Sequence, residues 1–401
     1  MSVGILFESK EWSSYALEKH INDMGVAAKL IDMQEDFDLN ELLSYNLIVN
    51  RVFASAVFRG HQKTLERMPE VIGLLKENDV PMINPYEAHF YEISKRHATE
   101  TLAAHGFAVP LVYGVFTPSQ VRSNRQHVYA NTPSIQNHRL APGIRSCGQH
   151  EYTKISHTQS HWLSSPIVAS GQHECSKTPL APSRRLSSPL GADNQLEFEY
   201  PCIVKPDCGG RTNYTFIVNS PEELIRCMEN VPDIQFIAEE YIYPEYGFTT
   251  RIEVINRSCA LILKRSVAEN GLSAYHLGST YAAYDDCSDN IKSTVVRAMD
   301  LLQIEVGSVD IIENQTGFYI IDINSVSNAS EDNIEMFSFD LIKETAAYIV
   351  MKHQLPMSPP LDYSALSSEQ FNAEIKKGIT SLNEGRVIPS EQVRKKCKGR
   401  T

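Results

Sequence analysis

Two aspartates and an asparagine lie in a stretch that otherwise reads as buried strand. Residues 308–324 run Ser-Val-Asp-Ile-Ile-Glu-Asn-Gln-Thr-Gly-Phe-Tyr-Ile-Ile-Asp-Ile-Asn. Apolar runs on both sides of Asn314-Gln315-Thr316-Gly317 suggest a hairpin. Asp322 and Asn324 are two apart, so on a strand they share a face. A three-residue loop, Gln315 to Gly317, puts Asn314 opposite Phe318 and so Asp310 opposite Asp322. A two-residue turn shifts the register by one and turns Asp310 to the other face. With the first closure, two carboxylates and an amide oxygen converge. That donor set suits Mg²⁺ or Mn²⁺, hard ions that keep water and bridge phosphates. The competing reading is an amphipathic hairpin with a solvated polar edge.

Cations stand in four other places. Lys95 lies in Ser94-Lys95-Arg96 within a helical stretch, 85–104. Lys205 ends the apolar run Tyr200-Pro201-Cys202-Ile203-Val204 and precedes Asp207-Cys208-Gly209-Gly210-Arg211. Strand, lysine, glycine turn and strand make a plausible phosphate cradle, because Gly209 and Gly210 let backbone N–H groups approach an anion. No helix opens after the glycines, so it is neither a Walker loop nor a dinucleotide fingerprint. Arg251 and Arg265 interrupt apolar strands. A buried arginine is costly unless it meets an anion.

These side chains need a scaffold. Residues 1–90 alternate strand and helix, which predicts a parallel sheet with helices on its faces. Its ligand crevice lies beyond the carboxyl ends of the strands. Asn50 and Arg51 are placed there by position, as are Asn84 and Arg59. Residues 198–350 read as strands and helices of α+β type, with a helix start at Ser220-Pro221-Glu222-Glu223 and a last helix near 339–351. Residues 118–197 break the pattern. They are rich in Ser, His, Pro, Gln and Asn, hold six of the 13 histidines, and read as a disordered low-complexity insertion. Residues 354–401 read as a polar tail ending in Lys/Arg.

Composition narrows the function classes. At 401 residues the chain has room for two or three domains. A formal charge of −12 argues against a general nucleic-acid binder. No apolar run approaches a membrane span, and the N-terminus lacks the features of a secretory signal. Eight cysteines without CxxC pairing fit reduced thiols and a cytoplasmic protein.

Taken in order, these motifs resemble the ATP-grasp superfamily, most closely the RimK-like carboxylate–amine ligases of the glutathione synthase and ribosomal-protein glutamate ligase type. The resemblance covers about 85–117 and 198–350. It implies an N-terminal α/β pre-ATP-grasp domain at 1–90. The grasp of two α+β subdomains would follow at 91–117 and 198–350, its lid at about 198–240. It implies ATP and Mg²⁺ (or Mn²⁺) as cofactors. Lys95 and Lys205 would contact phosphates. Glu239, Glu240, Tyr241 and Ile242 would form the adenine hinge, with Glu245 near the ribose. Arg251 and Arg265 would hold the γ-phosphate and a developing acyl phosphate. Asp310, Asp322 and Asn324 would bind metal. The chain departs from the pattern in a short glycine turn, in Asp322 where glutamate is usual, and in Val326-Ser327-Asn328 where Pro-Gly is usual.

The implied reaction joins a small carboxylate to an amine, an amino acid or peptide, and releases ADP and phosphate. An ATP-grasp polyol kinase and a non-catalytic nucleotide-binding scaffold remain as alternatives. Asn50, Arg51, Tyr275 and His276 are the substrate candidates. The sequence leaves a homo-oligomer open.

Overall fold

The computed structural model describes residues 2–123, 198–327, 329–354 and 376. Met1–His353 pack as one unit and Gln354–Thr401 form a second; three sheets belong to the first. The expected insertion beyond Ser123 and nearly all of the expected tail lie outside the described residues.

The parallel sheet expected at the N-terminus is present. Strands β1 (Ser2–Phe7), β2 (Ala27–Asp32), β3 (Leu47–Arg51) and β4 (Met82–Ile83) run in the order β2-β1-β3-β4. Every residue of β3 is buried, as a strand covered on both faces requires. Helix α1 (Trp12–Asp23) covers one face with Leu17 and Ile21, joined by Ile342, Ala346 and Ile349 of the helix Leu341–Gln354. Helix α2 (Gln62–Glu77) covers the other with Leu65, Met68, Val71, Ile72 and Leu75, the three-four spacing of an amphipathic helix.

The stretch 85–104, expected as one helix, is two: α3 (Ala88–Ile93) and α4 (Lys95–Ala104), parted at an extended Ser94. A cap from outside wins over helix continuation. Asp207 accepts from the Arg96 N–H at 2.7 Å and the Ser94 hydroxyl at 3.0 Å, and its carbonyl accepts from the Lys95 N–H at 3.0 Å. An acid at a helix N-terminus is doubly favoured, as a cap and by the dipole. Lys95 is thereby fixed in the first turn.

The second sheet is antiparallel: β5 (Val112–Phe116), β6 (Cys202–Pro206), β7 (Phe216–Val218) and β8 (Phe236–Glu240), in the order β5-β8-β6-β7. The helix Pro221–Cys227 packs on it through Leu224, and the Ser220 hydroxyl caps that helix as expected. The stretch expected to be irregular from 118 begins instead with a short helix, α5 (Pro118–Ser123), because Val121 enters the same core.

The third sheet holds β9 (Phe248–Ile255), β10 (Ser258–Ser266), β11 (Tyr281–Ala283), β12 (Val306–Asn314) and β13 (Gly317–Asn324), in the order β11-β10-β9-β12-β13. The helix Asp289–Leu301 covers one face with Ile291, Val295 and Met299. The opposite face carries the polar side chains.

The β12–β13 closure differs from the expected loop. Asn314 pairs with Gly317, so the turn is the two-residue Gln315-Thr316. That register alone would turn Asp310 away. A bulge at Ile321 restores it: Ile311 pairs with Ile320, yet Asp310 pairs with Asp322. Near the base of the hairpin, a Cβ on Gly307 would lie 2.2 Å from the Asn324 carbonyl oxygen, so only glycine allows this approach.

Asn84 staples the first sheet to this hairpin. Its amide donates to the carbonyls of Val306 (2.7 Å) and Ser325 (2.6 Å) and accepts from the N–H groups of Glu305 (2.7 Å) and Val306 (2.8 Å). The side chain serves packing between elements, not the open crevice. Asn84→Ala strands four backbone groups, and we expect about 3 kcal/mol lower stability. A urea midpoint equal to wild type refutes this. Among the described residues, no helix is long and apolar enough to cross a membrane.

Candidate functional site

A cavity of about 570 Å³ opens between the second and third sheets, beside segments that follow strands of the first. Its walls include Lys95, Lys205, Arg251, Arg265, Asp310, Asp322 and Asn324. The four cations and three oxygen donors, spread from Lys95 to Asn324 along the chain, share one space.

Each cation already has an anion. Lys95 Nζ lies 2.6 Å from Asp322 Oδ1. Lys205 Nζ lies 2.7 Å from Glu239 Oε2 and donates to the Ile321 carbonyl at 3.2 Å. Arg265 meets Asp310 at 2.9 Å, and Arg251 meets the same carboxylate at 3.3 Å. Arg251 Nε also donates to Glu253 at 2.7 Å. Four cations therefore face four carboxylates: Asp322, Glu239, Asp310 and Glu253. Burial opposes charge on Lys95, but Asp322 outweighs it and holds the lysine pKa above its ordinary value. Burial likewise opposes charge on Asp322, and Lys95 and Lys205 outweigh it, so the carboxyl titrates below the ordinary range. Burial also works against Arg251, and Glu253 with Asp310 reverses that.

Sequence reasoning missed Glu253, Glu92 and Asp207. Glu253 is two residues from Arg251 on β9, and that same-face spacing was the available signal. Its second oxygen accepts from the Ser327 hydroxyl at 2.5 Å. Glu92 is buried on the cavity wall, where the Ala54 N–H and the Ser325 N–H and hydroxyl donate to it. Burial raises its pKa, only partly offset by those bonds.

Glu239, Glu240, Tyr241 and Ile242, expected as a hinge, line the cavity where β8 ends, and Gly209 and Gly210 line it too. The left-handed angles of this turn fall on residues after the two glycines. Arg211 (φ 60°), Thr212 (φ 55°) and Tyr214 (φ 52°) take the left-handed angles. Contacts hold them there: Arg211 pairs with Glu11, Thr212 bonds His276 at 3.1 Å, and Tyr214 meets Phe58 edge-on.

Glu245, Asn50 and Arg51 stand apart from this cavity wall. Glu245 accepts from the Gln315 N–H at 2.9 Å, at the hairpin tip. Asn50 is buried and accepts from the Val52 N–H. Arg51 is buried and donates to the Ser327 carbonyl (2.9 Å) and the Ser13 hydroxyl (2.8 Å); burial pulls its pKa down to about 10. Tyr275 opens a short 3-10 turn, Tyr275–Leu277. Of the four substrate candidates, His276 lines the cavity.

The donor set fits magnesium. Among the described residues, no three His, Cys, Asp or Glu side chains form a metal cage. Mg²⁺ bound with a nucleotide needs less, one or two carboxylates beside phosphate oxygens. Asp310 and Asp322, cross-strand partners, supply that, with Asn324 on the same wall.

Comparisons with known proteins agree with this geometry. Residues 159–349 match the family model of the RimK-like ATP-grasp domain. A D-alanine--D-alanine ligase of Pediococcus pentosaceus is 31% identical over 144 residues, 33% of this chain and 40% of that protein. The chain thus aligns with less than half the length of that curated relative. Among solved structures, a RimK domain ATP-grasp protein from Sphaerobacter thermophilus superposes with a TM-score of 0.51 at 13% identity, over 87% of this chain and 99% of that one. The ATP-grasp ligase PsnB, complexed with a phosphomimetic variant of its minimal precursor, Mg and ADP, gives 0.50 at 13% identity, over 88% and 98%. At such identities the superpositions speak for the fold alone, an ATP-grasp fold, and residues 159–349 are similar to the RimK-like ATP-grasp domain.

Proposed function

We propose that the protein is an ATP-dependent carboxylate–amine ligase that forms an amide or peptide bond through an acyl phosphate, releasing ADP and phosphate. The observation that carries this is the single cavity in which Lys95, Lys205, Arg251 and Arg265 face Asp310, Asp322 and Asn324. Carboxylates do not condense with amines at neutral pH, so the acid must first be activated. Lys95 and Lys205 bind the α- and β-phosphates of ATP. The stretch 239–242 holds the adenine, and Glu245, bonded to the Gln315 N–H at the hairpin tip, takes no part in the cavity wall. Arg251 and Arg265 neutralise the γ-phosphate as it passes to the acid, a site of developing charge. Asp310, Asp322 and Asn324 would hold Mg²⁺, which would supply further charge neutralisation. The glycine turn shields the cavity from water, which would hydrolyse the acyl phosphate.

We assign residues 1–90 as the pre-ATP-grasp domain and 91–117 with 198–350 as the grasp, with its lid at 198–240. The free cysteines Cys202, Cys208, Cys259 and Cys287 support a cytoplasmic setting. The PsnB complex with Mg and ADP supports the choice of cofactors. The test is ADP release over paired panels of small carboxylates and of amines, amino acids and peptides, with hydroxylamine as a trap. A hydroxamate formed only with ATP and a particular acid supports the reading. ADP release without hydroxamate or amide from any acid refutes it.

A further inference from the structure

The cavity extends past the phosphate end to the carboxyl edge of the parallel sheet, where Trp12, Phe53 and Ser55 line it. Ser55 is buried, 4% exposed, and its hydroxyl is unusual. Arg59 Nη1 donates to Ser55 Oγ at 2.7 Å. The serine oxygen is thus an acceptor, and its own hydrogen remains to be placed. Among the described residues, no acceptor takes that hydrogen. It belongs to a wall residue of the cavity.

Arg59 is held from behind. Its other terminal nitrogen pairs with Glu8, which is fully buried, and the second Glu8 oxygen lies 2.6 Å from His61 Nδ1. The guanidinium stacks over the Phe53 ring, 5.7 Å from its centroid. Arg59 Nε is buried without a partner. The guanidinium therefore cannot easily swing away, and its bond to Ser55 polarises the O–H. Across the gap stands the glycine turn: a Cβ built on Gly210 would lie 3.6 Å from Ser55 Cβ.

We propose that Ser55 Oγ–H is the donor that recognises the oxyanion of the acid substrate, and that Glu8 and Arg59 position it. The class of ligand is a carboxylate on an apolar body: the hydroxyl takes a carboxylate oxygen, and Phe53 with Trp12 take the apolar part. This deepens the ligase reading and rests on it. It also moves acid recognition from Asn50 and Arg51, which are not among the cavity's lining residues, to a neighbour on the same sheet edge.

The experiment uses 4-fluorobenzoate as the probe, titrated into the full chain saturated with Mg²⁺ and a non-hydrolysable ATP analogue, and read by ¹⁹F NMR line width. Wild type should bind it. Ser55→Ala should weaken binding roughly tenfold, the loss of one hydrogen bond to a charged group. Ser55→Thr should restore most of it, and Arg59→Gln should weaken it without changing affinity for the ATP analogue. No binding to wild type, or equal binding to wild type and Ser55→Ala, overturns the proposal. Failure of the ligase reading is a separate result: Ser55-dependent probe binding with no hydroxamate from any acid. Circular dichroism of each variant guards against misfolding. If Ser55→Ala fails to fold, Ser55→Thr and Ser55→Cys carry the comparison, and a cysteine variant that binds as well as threonine refutes the need for a strong donor.

Discussion

Lys205→Met should lower ATP turnover by roughly 10²–10³-fold, the scale for removing one aimed cation from a developing charge. It should also destabilise the protein. Lys205 is the charged partner of Glu239, whose side chain is 2% exposed. Removing the lysine leaves a buried carboxylate whose remaining hydrogen bond among the described residues comes from the Thr99 hydroxyl at 3.3 Å, with Lys95 acting on it only through space. Breaking such a pair costs about 3–5 kcal/mol. The two effects separate in the double variant. Lys205→Met with Glu239→Gln replaces the orphaned charge with a neutral amide, so most of the stability should return while turnover stays low. ADP release and urea unfolding of the single and double variants check this. Turnover that recovers along with stability would mean that the lysine serves the fold and not the phosphates.

The ion pairs behind that prediction were not legible in the sequence. The apolar runs gave the strands, and the residues that interrupt them, Arg251, Arg265, Asp310 and Asp322, gave the site. What the runs could not show is that each cation is matched to an acid in the absence of substrate, since Lys95 and Asp322 lie far apart in the chain. The register of β12 and β13 was legible only in outcome. Asp310 does face Asp322, through a tighter turn and a compensating bulge at Ile321, not through the three-residue loop that the sequence suggested. Bulges arise from packing against neighbouring strands, here β9 on the far side of β12, and local spacing carries no trace of that. The break at Ser94 was hidden for a similar reason. The cap that ends the helix comes from Asp207, after the whole insertion, and helical periodicity in 85–104 continues across it. At the sheet edge, position alone singled out Asn50 and Arg51. Whether a polar side chain there faces the crevice or folds back depends on its partners, and Ser13 and Ser327 take Arg51 inward.

Asp310→Asn should reverse the metal dependence of nucleotide binding as well as depress turnover. In the structure one carboxylate serves both Arg265 and Arg251. The two guanidiniums cannot meet a γ-phosphate fully while they hold Asp310, and Asp310 cannot meet a metal while it holds them. On the proposed reading Asp310 would hold Mg²⁺, which would supply charge neutralisation, and Arg251 and Arg265 would be released to the phosphate. Mg²⁺ alone should therefore bind weakly to the wild-type protein. With asparagine at 310 the cations gain net positive potential, and a triphosphate without metal should bind several-fold tighter, in the direction that Coulomb's law requires. The metal loses a charged ligand, so turnover should fall about 10²–10³-fold and need more Mg²⁺. Asparagine keeps one oxygen for Arg265, and Arg251 keeps Glu253, so the fold should survive. Calorimetric titration of an ATP analogue with and without Mg²⁺, beside ADP release across a Mg²⁺ series, decides it. A variant whose magnesium curve overlays the wild type would remove Asp310 from the metal site, and leave it as a clamp for two arginines.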